Sequence, residues 1–402
     1  MKSFESIYAG WLIDGSGGFV KKNVLMRICD GKISSICKKN PFDLETSRIM
    51  DLSSCTLLPG LIDSHVHLIM SGTTDPGIRT SQLNIEFDDI KPTISHHLDQ
   101  LFSYGVIGIR DGGDARGHAM RYKIECHDEK SVPVSIRVVG KAWRNHGRYG
   151  KLIGRPPGKK TSLALAILNQ ADHIDQVKIV NSGLNSLADF ARETKPQFSL
   201  HVMCDAVKAA KKMGCKVMVH ANGKVPVKIA VEAGCDSIEH GFFMGKENLR
   251  LMAEKKIVWI PTAFTMKAYS RILDKNSAAS NVARRNYEHQ VEQIALAKDI
   301  GVIIALGTDS GSPGVHHGSA VVEEIQMFLD AGFSIQEAIK NASYNGAMLL
   351  NQKQKGMLAR GLPATFIAVS GSPSKLPGSL DSIKHVCIDG VFYQNKTNCR
   401  LI

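Results

Sequence analysis

Short apolar runs alternate with longer amphipathic stretches from residue 57 to about residue 350, and this alternation restricts the chain to few folds. Eight of the runs have the length and composition of buried strands, at residues 57–62, 105–110, 134–139, 176–180, 216–219, 237–239, 257–261 and 302–306. The stretches between them, such as 200–213, 226–233 and 320–331, have helical periodicity. Eight βα units predict an α/β fold, and within it a closed (β/α)8 TIM barrel rather than an open doubly wound sheet. No GxGxxG motif follows the first strand, which argues against dinucleotide binding.

The two ends of the chain have a different pattern, with short alternating strands and tight turns. Residues 24–28 and 32–35 flank a turn at Asp30-Gly31, and residues 383–388 lead into a turn at Asp389-Gly390. Neither end has enough apolar residues for a core of its own, so we predict one small β-sandwich domain formed from both. The predicted division is 1–56 and 356–402 for the two parts of this domain and 57–355 for the barrel.

The charge of the chain bears on its partners. With 50 Lys and Arg against 38 Asp and Glu the formal net charge is +12, but the basic residues are dispersed and aromatic residues make up only 6%. A nucleic-acid surface would concentrate basic and aromatic residues in one stripe, so we expect no nucleic-acid partner. The charge instead favours an ordinary solvated surface that attracts anions, and an anionic small-molecule substrate would fit it equally well.

Compartment and assembly are constrained only loosely by the sequence. No run of eighteen or more apolar residues occurs, so we expect neither a membrane span nor a membrane partner. The first residues lack a basic segment followed by an apolar one, which argues against export. Nine cysteines without CxxC pairs indicate free thiols in a reducing compartment. We therefore expect a cytoplasmic protein that acts as a homo-oligomer, although the residues do not specify the number of copies.

Polar residues with metal-ligand chemistry stand on five of the predicted strands, at or near the strand ends. The first strand leads into His65 and His67, whose side chains share one face because residues i and i+2 of an extended strand point the same way. Strands four, five, six and eight carry Lys178, His220, His240 and Asp309, respectively. Because a TIM barrel gathers the carboxyl ends of its strands at one rim, we expect these side chains to meet.

Each of these residues also has an ordinary structural interpretation. A single histidine at a strand end is commonly just hydrogen-bonded, and Asp309 could cap a helix. Their coincidence at one rim favours a metal site instead. Lys178 would be repelled by divalent cations as an ammonium, but as a carbamate formed with CO₂ it becomes an anion that can bridge two metals. Imidazole and carboxylate-type oxygen suit zinc, with manganese, iron and nickel left open, so we predict two divalent ions, zinc, bridged by an N-carboxylated Lys178.

The segments that carry these residues resemble the amidohydrolase superfamily over essentially the whole chain. The matching segments are PGLIDSHVHL, VKIVNSG, VHANG, AVEAGCDSIEHG, ALGTDSG and IKHVCIDG. The resemblance implies a binuclear centre in which the first metal is held by His65, His67, Lys178 and Asp309. The second metal would be held by Lys178, His220 and His240.

Within the superfamily the chain resembles the Xaa-Pro/Xaa-Arg dipeptidase-like (N-acyl amino acid carboxypeptidase-like) group, through IRDGGD, AGCDSIEHG and the Asn145-His146-Gly147 loop. His146 stands where that group has a loop histidine that reads the substrate, so we expect it to donate a hydrogen bond to the oxyanion or to a substrate carboxylate. We expect Arg144 and Arg148 to bind a carboxylate and Asn222 to contact the substrate. The third-strand loop is more basic than in the group, and Asn222 replaces an aromatic residue or histidine, so the substrate itself does not transfer.

The predicted reaction is hydrolysis of an amide C–N bond in a dipeptide or an N-acyl amino acid. A hydroxide bridging two metals would attack the carbonyl, and Asp309 would act as general base and then as general acid toward the leaving nitrogen. Three alternatives stay open: a cyclic amide hydrolase of the imidazolonepropionase or hydantoinase kind, a deaminase, and a metal-free regulatory relative. A deaminase would carry a glutamate where this chain has Gly223.

Overall fold

The computed structural model describes residues 6–39, 49–128, 131–170 and 173–393. The strands in these ranges are β1 Ser6–Leu12, β2 Lys21–Cys29, β3 Lys32–Lys38, β4 Ile49–Pro59, β5 Leu61–Val66, β6 Val106–Asp111, β7 Ser135–Val138, β8 Ala142–Trp143, β9 Gly154–Arg155, β10 Gln176–Val180, β11 Lys216–Ala221, β12 Ser237–His240, β13 Val258–Ile260, β14 Phe366–Ser370, β15 Ile383–Ile388 and β16 Val391–Tyr393. The helices are α1 Pro76–Asn84, α2 Phe87–Ser103, α3 His118–Glu125, α4 Leu163–Leu168, α5 Leu200–Lys212, α6 Lys224–Ala233, α7 Gly245–Lys255, α8 Phe264–Ile272, α9 Ala278–Ile300, α10 Ser319–Asp330, α11 Ile335–Asn341 and α12 Tyr344–Leu349. Strands therefore alternate with helices through the middle of the chain, as predicted.

The central strands are parallel and fall into two sheets, with orders β5-β6-β7 and β13-β12-β11-β10-β8-β9. Strands β5, β6 and β10 are buried along their whole length, as expected for parallel strands covered by helices. Single main-chain hydrogen bonds link the two sheets at one edge, where the N–H of Asp175 donates to the carbonyl of Val138 (2.9 Å). At the other edge the N–H of Ser64 donates to the carbonyl of Leu306 (2.9 Å).

Two of the predicted strands differ from those observed. Residues 302–306 contribute only an isolated parallel bridge between Ile304 and Trp259, so the expected eighth strand is not formed as a regular element. The expected first strand, 57–62, is divided: β4 belongs to the sheet at the chain ends, and β5 starts the parallel sheet after Gly60. Gly60 permits this change of sheet because a Cβ there would lie 2.5 Å from Cδ1 of Ile107.

Strands from both ends of the chain form one seven-stranded sheet with the order β16-β15-β14-β4-β1-β2-β3. The predicted β-sandwich is therefore wrong in form: in the described ranges these strands belong to a single mixed sheet, not two stacked ones. The cause is the long strand β4, which pairs in parallel with β1 and antiparallel with β14 and so joins the two ends by main-chain hydrogen bonds. The outermost parts of the predicted end segments, residues 1–5 and 394–402, lie outside the described residues.

Helix α5 illustrates how the sequence forms the outer layer. The side chain of Ser199 accepts a hydrogen bond from the N–H of Val202 and caps the first turn. Met203, Val207 and Ala210 repeat at helical spacing and are buried on one face. In the described part of the chain, no helix is long and apolar enough to cross a membrane, and the cysteines are free thiols.

Candidate metal centre

His65 and His67 are held with their Nε2 atoms available. His65 is fully buried, and its Nδ1 lies 2.7 Å from Oε2 of Glu239. Nδ1 of His67 lies 2.9 Å from the carbonyl oxygen of Gly113. Because a carboxylate and a carbonyl only accept hydrogen bonds, both Nδ1 atoms carry the proton, which leaves the Nε2 lone pairs to bind a metal.

Asp309 completes a group of three potential ligands. Its Oδ1 lies 3.6 Å from Nε2 of His65 and 3.5 Å from Nε2 of His67, and one ligand atom from each residue falls within 4.8 Å of the others. Asp63 fixes the loop that carries Asp309, because its carboxylate accepts from the N–H (3.0 Å) and the hydroxyl (2.6 Å) of Thr308. This His-His-Asp group could bind a metal ion.

His220 and His240 approach the same centre from β11 and β12. Their ring centroids lie 4.6 Å apart, and the ring of His240 lies 5.0 Å from that of His65. Nε2 of His220 donates to the carbonyl of Gly183 (3.0 Å), which leaves its Nδ1 lone pair available. Nδ1 of His240 lies 2.7 Å from the hydroxyl of Thr262. The two imidazoles thus offer opposite ring nitrogens to the centre.

Backbone conformation marks two of these positions. His240 has φ 69° and Asp309 has φ 57°, both in the left-handed region that side-chain-bearing residues rarely adopt. The surrounding hydrogen bonds hold them there: Nε1 of Trp259 donates to the carbonyl of His240, and the N–H of Asp309 donates to the carbonyl of His65. Strain of this kind is concentrated at functional sites.

Lys178 lies in the middle of β10 and is 1% exposed. Its Nζ is 3.2 Å from Nε2 of His65. Burial lowers the pKa of the ammonium to about 8, although the charges of Glu239, Asp309 and Asp111 raise it. A substantial fraction of the amine is therefore neutral near pH 8, and only a neutral amine can add CO₂.

Burial lowers the pKa of all four histidines, so they are neutral near pH 7. The pKa falls to about 3 for His67 and about 4 for His220, and lies well below the usual value for His65 and His240. The positive charge of Lys178 adds to the effect at each ring. Neutral imidazoles are the form that ligates metals.

A buried ion pair contacts the candidate ligand His65. Nη2 of Arg110 donates to both carboxylate oxygens of Glu239 (2.8 and 2.9 Å), and its Nε donates to the carbonyl of Ser64 (2.6 Å). Glu239 is in turn the partner of His65. The sequence analysis missed this pair. The available signal was a charged residue, Arg110 or Glu239, within each of two short predicted strands, VIGIRD and SIEH.

A cavity of about 230 Å³ opens onto the centre. His67, Lys178, His220, His240 and Asp309 form its polar end, and Arg79, Tyr149, Asn222 and Tyr269 add further polar groups. The rest of the lining is largely apolar and includes Met70, Leu83, Leu152, Leu184, Leu187 and Met266. Arg79 and Tyr269 had no recognisable signal in the sequence.

Three residues predicted to contact the substrate do not line this cavity. His146 is exposed, and its Nε2 lies 2.8 Å from the carbonyl oxygen of Pro157. Arg148 is exposed and donates to the carbonyl of Lys195 (2.7 Å), while Nη1 of Arg144 donates to the carbonyl of Asn145 (3.1 Å). The fold of their loop turns them away, because Asn145 is fixed by hydrogen bonds to Gln197.

Asn222 does line the cavity, but its side chain also holds the backbone. Its Oδ1 accepts from the N–H of Phe242 (3.0 Å), and its Nδ2 donates to the carbonyl of Gly183 (3.4 Å). Tyr149, from the same loop as His146, lies in the cavity with its ring 5.3 Å from that of His220. The loop therefore contributes a phenol where a histidine was expected.

Comparison with known proteins agrees with this geometry. A model described as the amidohydrolase family matches residues 56–397. An uncharacterized protein of Mycobacterium tuberculosis is 26% identical over 342 residues, covering 83% of this chain and 84% of that protein. The ochratoxinase of Aspergillus niger is 25% identical over 412 residues, covering 91% of this chain and 81% of the ochratoxinase. A solved structure of a Xaa-Pro dipeptidase with bound methionine in its active site is 26% identical, with a TM-score of 0.80 and coverage of 97% of this chain and 99% of that one.

Proposed function

Because the chain belongs to the amidohydrolase family, we propose that it is a metal-dependent hydrolase that cleaves an amide C–N bond in a dipeptide or N-acyl amino acid. The observation that carries this proposal is the convergence of neutral imidazoles and Asp309 at the polar end of one cavity. Likeness to a Xaa-Pro dipeptidase and to an ochratoxinase supports the choice of reaction.

The donor set fits two divalent metal ions. Its nitrogen atoms come from imidazoles whose other ring nitrogen is already hydrogen-bonded, which is how metal-binding histidines are oriented in proteins. His65, His67, Lys178 and Asp309 would hold the first ion, and Lys178, His220 and His240 the second. Zinc suits this mixture of nitrogen and oxygen ligands. Such ions polarise a carbonyl and make a water molecule nucleophilic at neutral pH.

Lys178 completes the set if its amine is carboxylated. The Nζ of a neutral Lys178 forms a bond to the carbon of CO₂ and loses a proton, which gives a carbamate with one negative charge. Burial supports this reaction by lowering the pKa of the ammonium to about 8. The anion would also remove the repulsion between an ammonium and divalent cations.

Asp309 would move the proton. One of its oxygens, Oδ1, faces His65 and His67, while Oδ2 accepts a hydrogen bond from Ser312 (3.0 Å), which fixes the carboxylate plane. In this position Asp309 would take the proton of the attacking water and then donate it to the leaving nitrogen. His146 has no part in this scheme because it lies outside the cavity.

We extend the proposal to the architecture. The two parallel sheets would together make a (β/α)8 barrel over residues 57–355, and residues 1–56 and 356–402 would form the second domain. At one edge, the hydrogen bond from Asp175 to Val138 supports the barrel. At the other edge, residues 302–306 lie between β13 and β5, with hydrogen bonds from Ala305 to Trp259 and from Ser64 to Leu306. The pairing of β4 with β14 supports the second domain.

The test is metal analysis together with an activity screen. Zinc- or manganese-loaded protein is assayed against dipeptides, N-acyl amino acids and cyclic amides, and Asp309→Asn is compared with Asp299→Asn, whose side chain is exposed on α9. We expect about two equivalents of metal and a loss of roughly 10²- to 10⁴-fold in kcat for Asp309→Asn only. A metal-free protein, or an Asp309→Asn variant with undiminished activity, would contradict the proposal. If only cyclic amides are hydrolysed, the protein is still a hydrolase, but its substrate is neither a dipeptide nor an N-acyl amino acid.

A further inference from the structure

Arg79 brings a positive charge into the cavity from outside the metal centre. It lies on α1, the helix that follows the strand bearing His65, and its side chain lines the same cavity as Lys178 and Asp309. Asp75 caps this helix by accepting hydrogen bonds from the N–H groups of Gly77 and Ile78. The cap fixes the first turn of the helix and hence the direction from which Arg79 enters.

Only part of the Arg79 guanidinium is used by the protein. Its Nη1 donates to the carbonyls of Ser71 (3.1 Å), Thr73 (3.3 Å) and Gly311 (2.9 Å). Among the residues that the structure describes, Nε and Nη2 have no hydrogen-bond partner. These two N–H groups form one edge of the planar fork, and that edge can bind a carboxylate in a bidentate way.

Several other arginines of the described ranges are paired with acids: the buried Arg110 with Glu239, the half-buried Arg137 with Asp175 and the exposed Arg271 with Glu323. Nη1 of the half-buried Arg144, in contrast, donates to the main-chain carbonyls of Asn145 and Arg148. No carboxylate of the described ranges lies within 4.0 Å of Arg79. Its positive charge is balanced only by carbonyl dipoles, which is an arrangement suited to an anion that arrives from outside.

Asp309 influences the pKa of Arg79 but is not free to pair with it. Burial lowers the pKa of Arg79, and the charges of Tyr269 and Asp309 raise it, so Asp309 acts on the guanidinium through space. In the proposed function, however, Asp309 is a metal ligand and its charge is drawn toward the metals. The positive charge of Arg79 then remains available at the open side of the cavity.

The apolar part of the cavity lining determines what else the ligand must carry. Met70, Leu83, Leu152, Leu187 and Met266 line the cavity with apolar side chains. A ligand that fills this space therefore has a bulky apolar group and, at the side of Arg79, a negative charge. An amino acid with an apolar side chain, joined through an amide, has both features.

We propose that Arg79 binds the substrate carboxylate through Nε and Nη2, and that the enzyme selects N-acyl or peptidyl derivatives of apolar amino acids with a free carboxylate over their neutral counterparts. This proposal rests on the proposed function for the position of the scissile bond. It assigns the carboxylate to α1, not to Arg144 and Arg148 of the loop between β8 and β9.

The first experiment compares N-acetylphenylalanine with N-acetylphenylalanine amide, both followed by release of acetate. We expect the wild type to prefer the acid by about 10- to 150-fold in kcat/KM, which is the range for hydrogen bonds to a charged group. In Arg79→Gln the preference disappears because the hydrolysis of the acid slows much more than that of the amide. Arg79→Lys should retain part of the preference. The matched control is Arg284→Gln, an exposed arginine of α9 that pairs with Glu288, and it should keep the full preference.

The second experiment measures binding without turnover. Calorimetry of 4-phenylbutyrate with metal-stripped protein should give a Kd that rises about 10- to 150-fold in Arg79→Gln and is unchanged in Arg284→Gln. If Arg79→Gln slows acid and amide equally, or leaves the binding of phenylbutyrate unchanged, Arg79 only ties the loops together and the proposal is wrong. If no amide is hydrolysed while phenylbutyrate binding still depends on Arg79, the proposed function fails and the carboxylate site stands.

Discussion

Glu239 shows how a residue that touches no substrate can control a metal ligand. Its carboxylate is fully buried and accepts hydrogen bonds from Arg110, Ser237 and His65. The bond to His65 fixes the proton on Nδ1 and therefore the direction of the Nε2 lone pair. Arg110 provides the buried counter-charge to this carboxylate. The orientation of the His65 ring therefore depends on the buried ion pair between Arg110 and Glu239.

The first prediction concerns Glu239→Gln, which keeps the shape of the side chain and removes its charge. Arg110 would then be buried without a counter-charge, so we expect the free energy of unfolding to fall by about 3–5 kcal/mol. Because His65 loses its carboxylate partner, metal affinity should also fall by roughly 10- to 100-fold. Urea denaturation and metal titration measure the two effects separately.

Glu232→Gln is the matched control. Glu232 is near the surface of α6 and lies 3.8 Å from Lys228, so its replacement should change stability by less than about 0.5 kcal/mol. Equal metal affinity in Glu239→Gln and the wild type would show that the Glu239 contact does not orient His65.

A second prediction concerns the basic loop residues His146 and Arg148. Both are exposed and lie outside the cavity, so His146→Ala and Arg148→Ala should change kcat/KM by less than about threefold, as is usual for surface substitutions. Steady-state kinetics on any substrate from the screen measures this. A loss of a hundredfold or more in either variant would mean that the loop closes over the substrate during turnover.

The candidate ligands could be predicted from the sequence because strand geometry is simple. Residues two apart on a strand share a face, and parallel strands end at one rim, so His65, His67 and the later strand ends had to lie near each other. Arg79 could not be found in this way, since its position depends on where a capped helix packs beside the loop of Gly311. The position of His146 outside the cavity could not be predicted for the same reason: loop direction is set by particular contacts such as Asn145 with Gln197, not by periodicity.

At the scale of elements, the connection between β4 and β5 is the most constrained point of the fold. Gly60 is the single residue between β4, which pairs with β14, and β5, the strand that carries His65. Ile107 of β6 packs so closely against Gly60 that no side chain fits between them. The position of His65 relative to the end sheet is therefore fixed by this contact.

The third prediction is that Gly60→Ala lowers the free energy of unfolding by about 1–3 kcal/mol through overpacking against Ile107. Ile107→Ala alone should cost about 2–5 kcal/mol because it leaves a cavity. The double variant should be less destabilised than the sum of the two, since the new methyl group enters the space that Ile107 vacates. Thermal or chemical denaturation of the four proteins measures the coupling.

Gly378→Ala provides the control for this series. A Cβ at Gly378 meets nothing within 4 Å, so this change should be neutral or stabilise by about 0.4–1 kcal/mol. Strictly additive effects of Gly60→Ala and Ile107→Ala would exclude the steric explanation.

Helices were predicted closely because their buried faces repeat at constant spacing, as in α5, α6 and α10. The segment 302–306 was predicted as a strand from its apolar residues, yet only Ile304 forms a bridge. An apolar run reports burial, whereas a strand also needs neighbours that offer hydrogen bonds in register along its length. The division of residues 57–62 between two sheets could not be predicted either, because the residues on both sides of Gly60 are equally apolar and buried.

At the scale of the whole molecule, the candidate metal centre gathers side chains from strands that are far apart in the chain, from His65 to Asp309. An unfolded chain cannot bring these ligands together, so bound metal stabilises the folded state by mass action. The six polar side chains of this centre, packed at one point, would also repel or remain unsatisfied without a cation.

The fourth prediction is that chelation lowers stability. With free zinc at 100 times its Kd, the metal should add about 2.7 kcal/mol to the free energy of unfolding, which is lost on chelation and regained on adding zinc back. Differential scanning calorimetry measures the change in Tm. In a variant with His65→Ala, His67→Ala, His220→Ala and His240→Ala, chelator should leave Tm unchanged; a Tm that falls as in the wild type would place the metal elsewhere.

Strand β4 runs directly into the strand of His65, and its partner β14 is more than 300 residues further along the chain. During synthesis on the ribosome, the edge formed by residues 55–59 therefore stays unpaired until residues 366–370 have emerged. An open strand edge recruits other strands, including those of neighbouring chains. We expect a chain truncated after residue 355 to aggregate, which sedimentation of the truncated product would reveal.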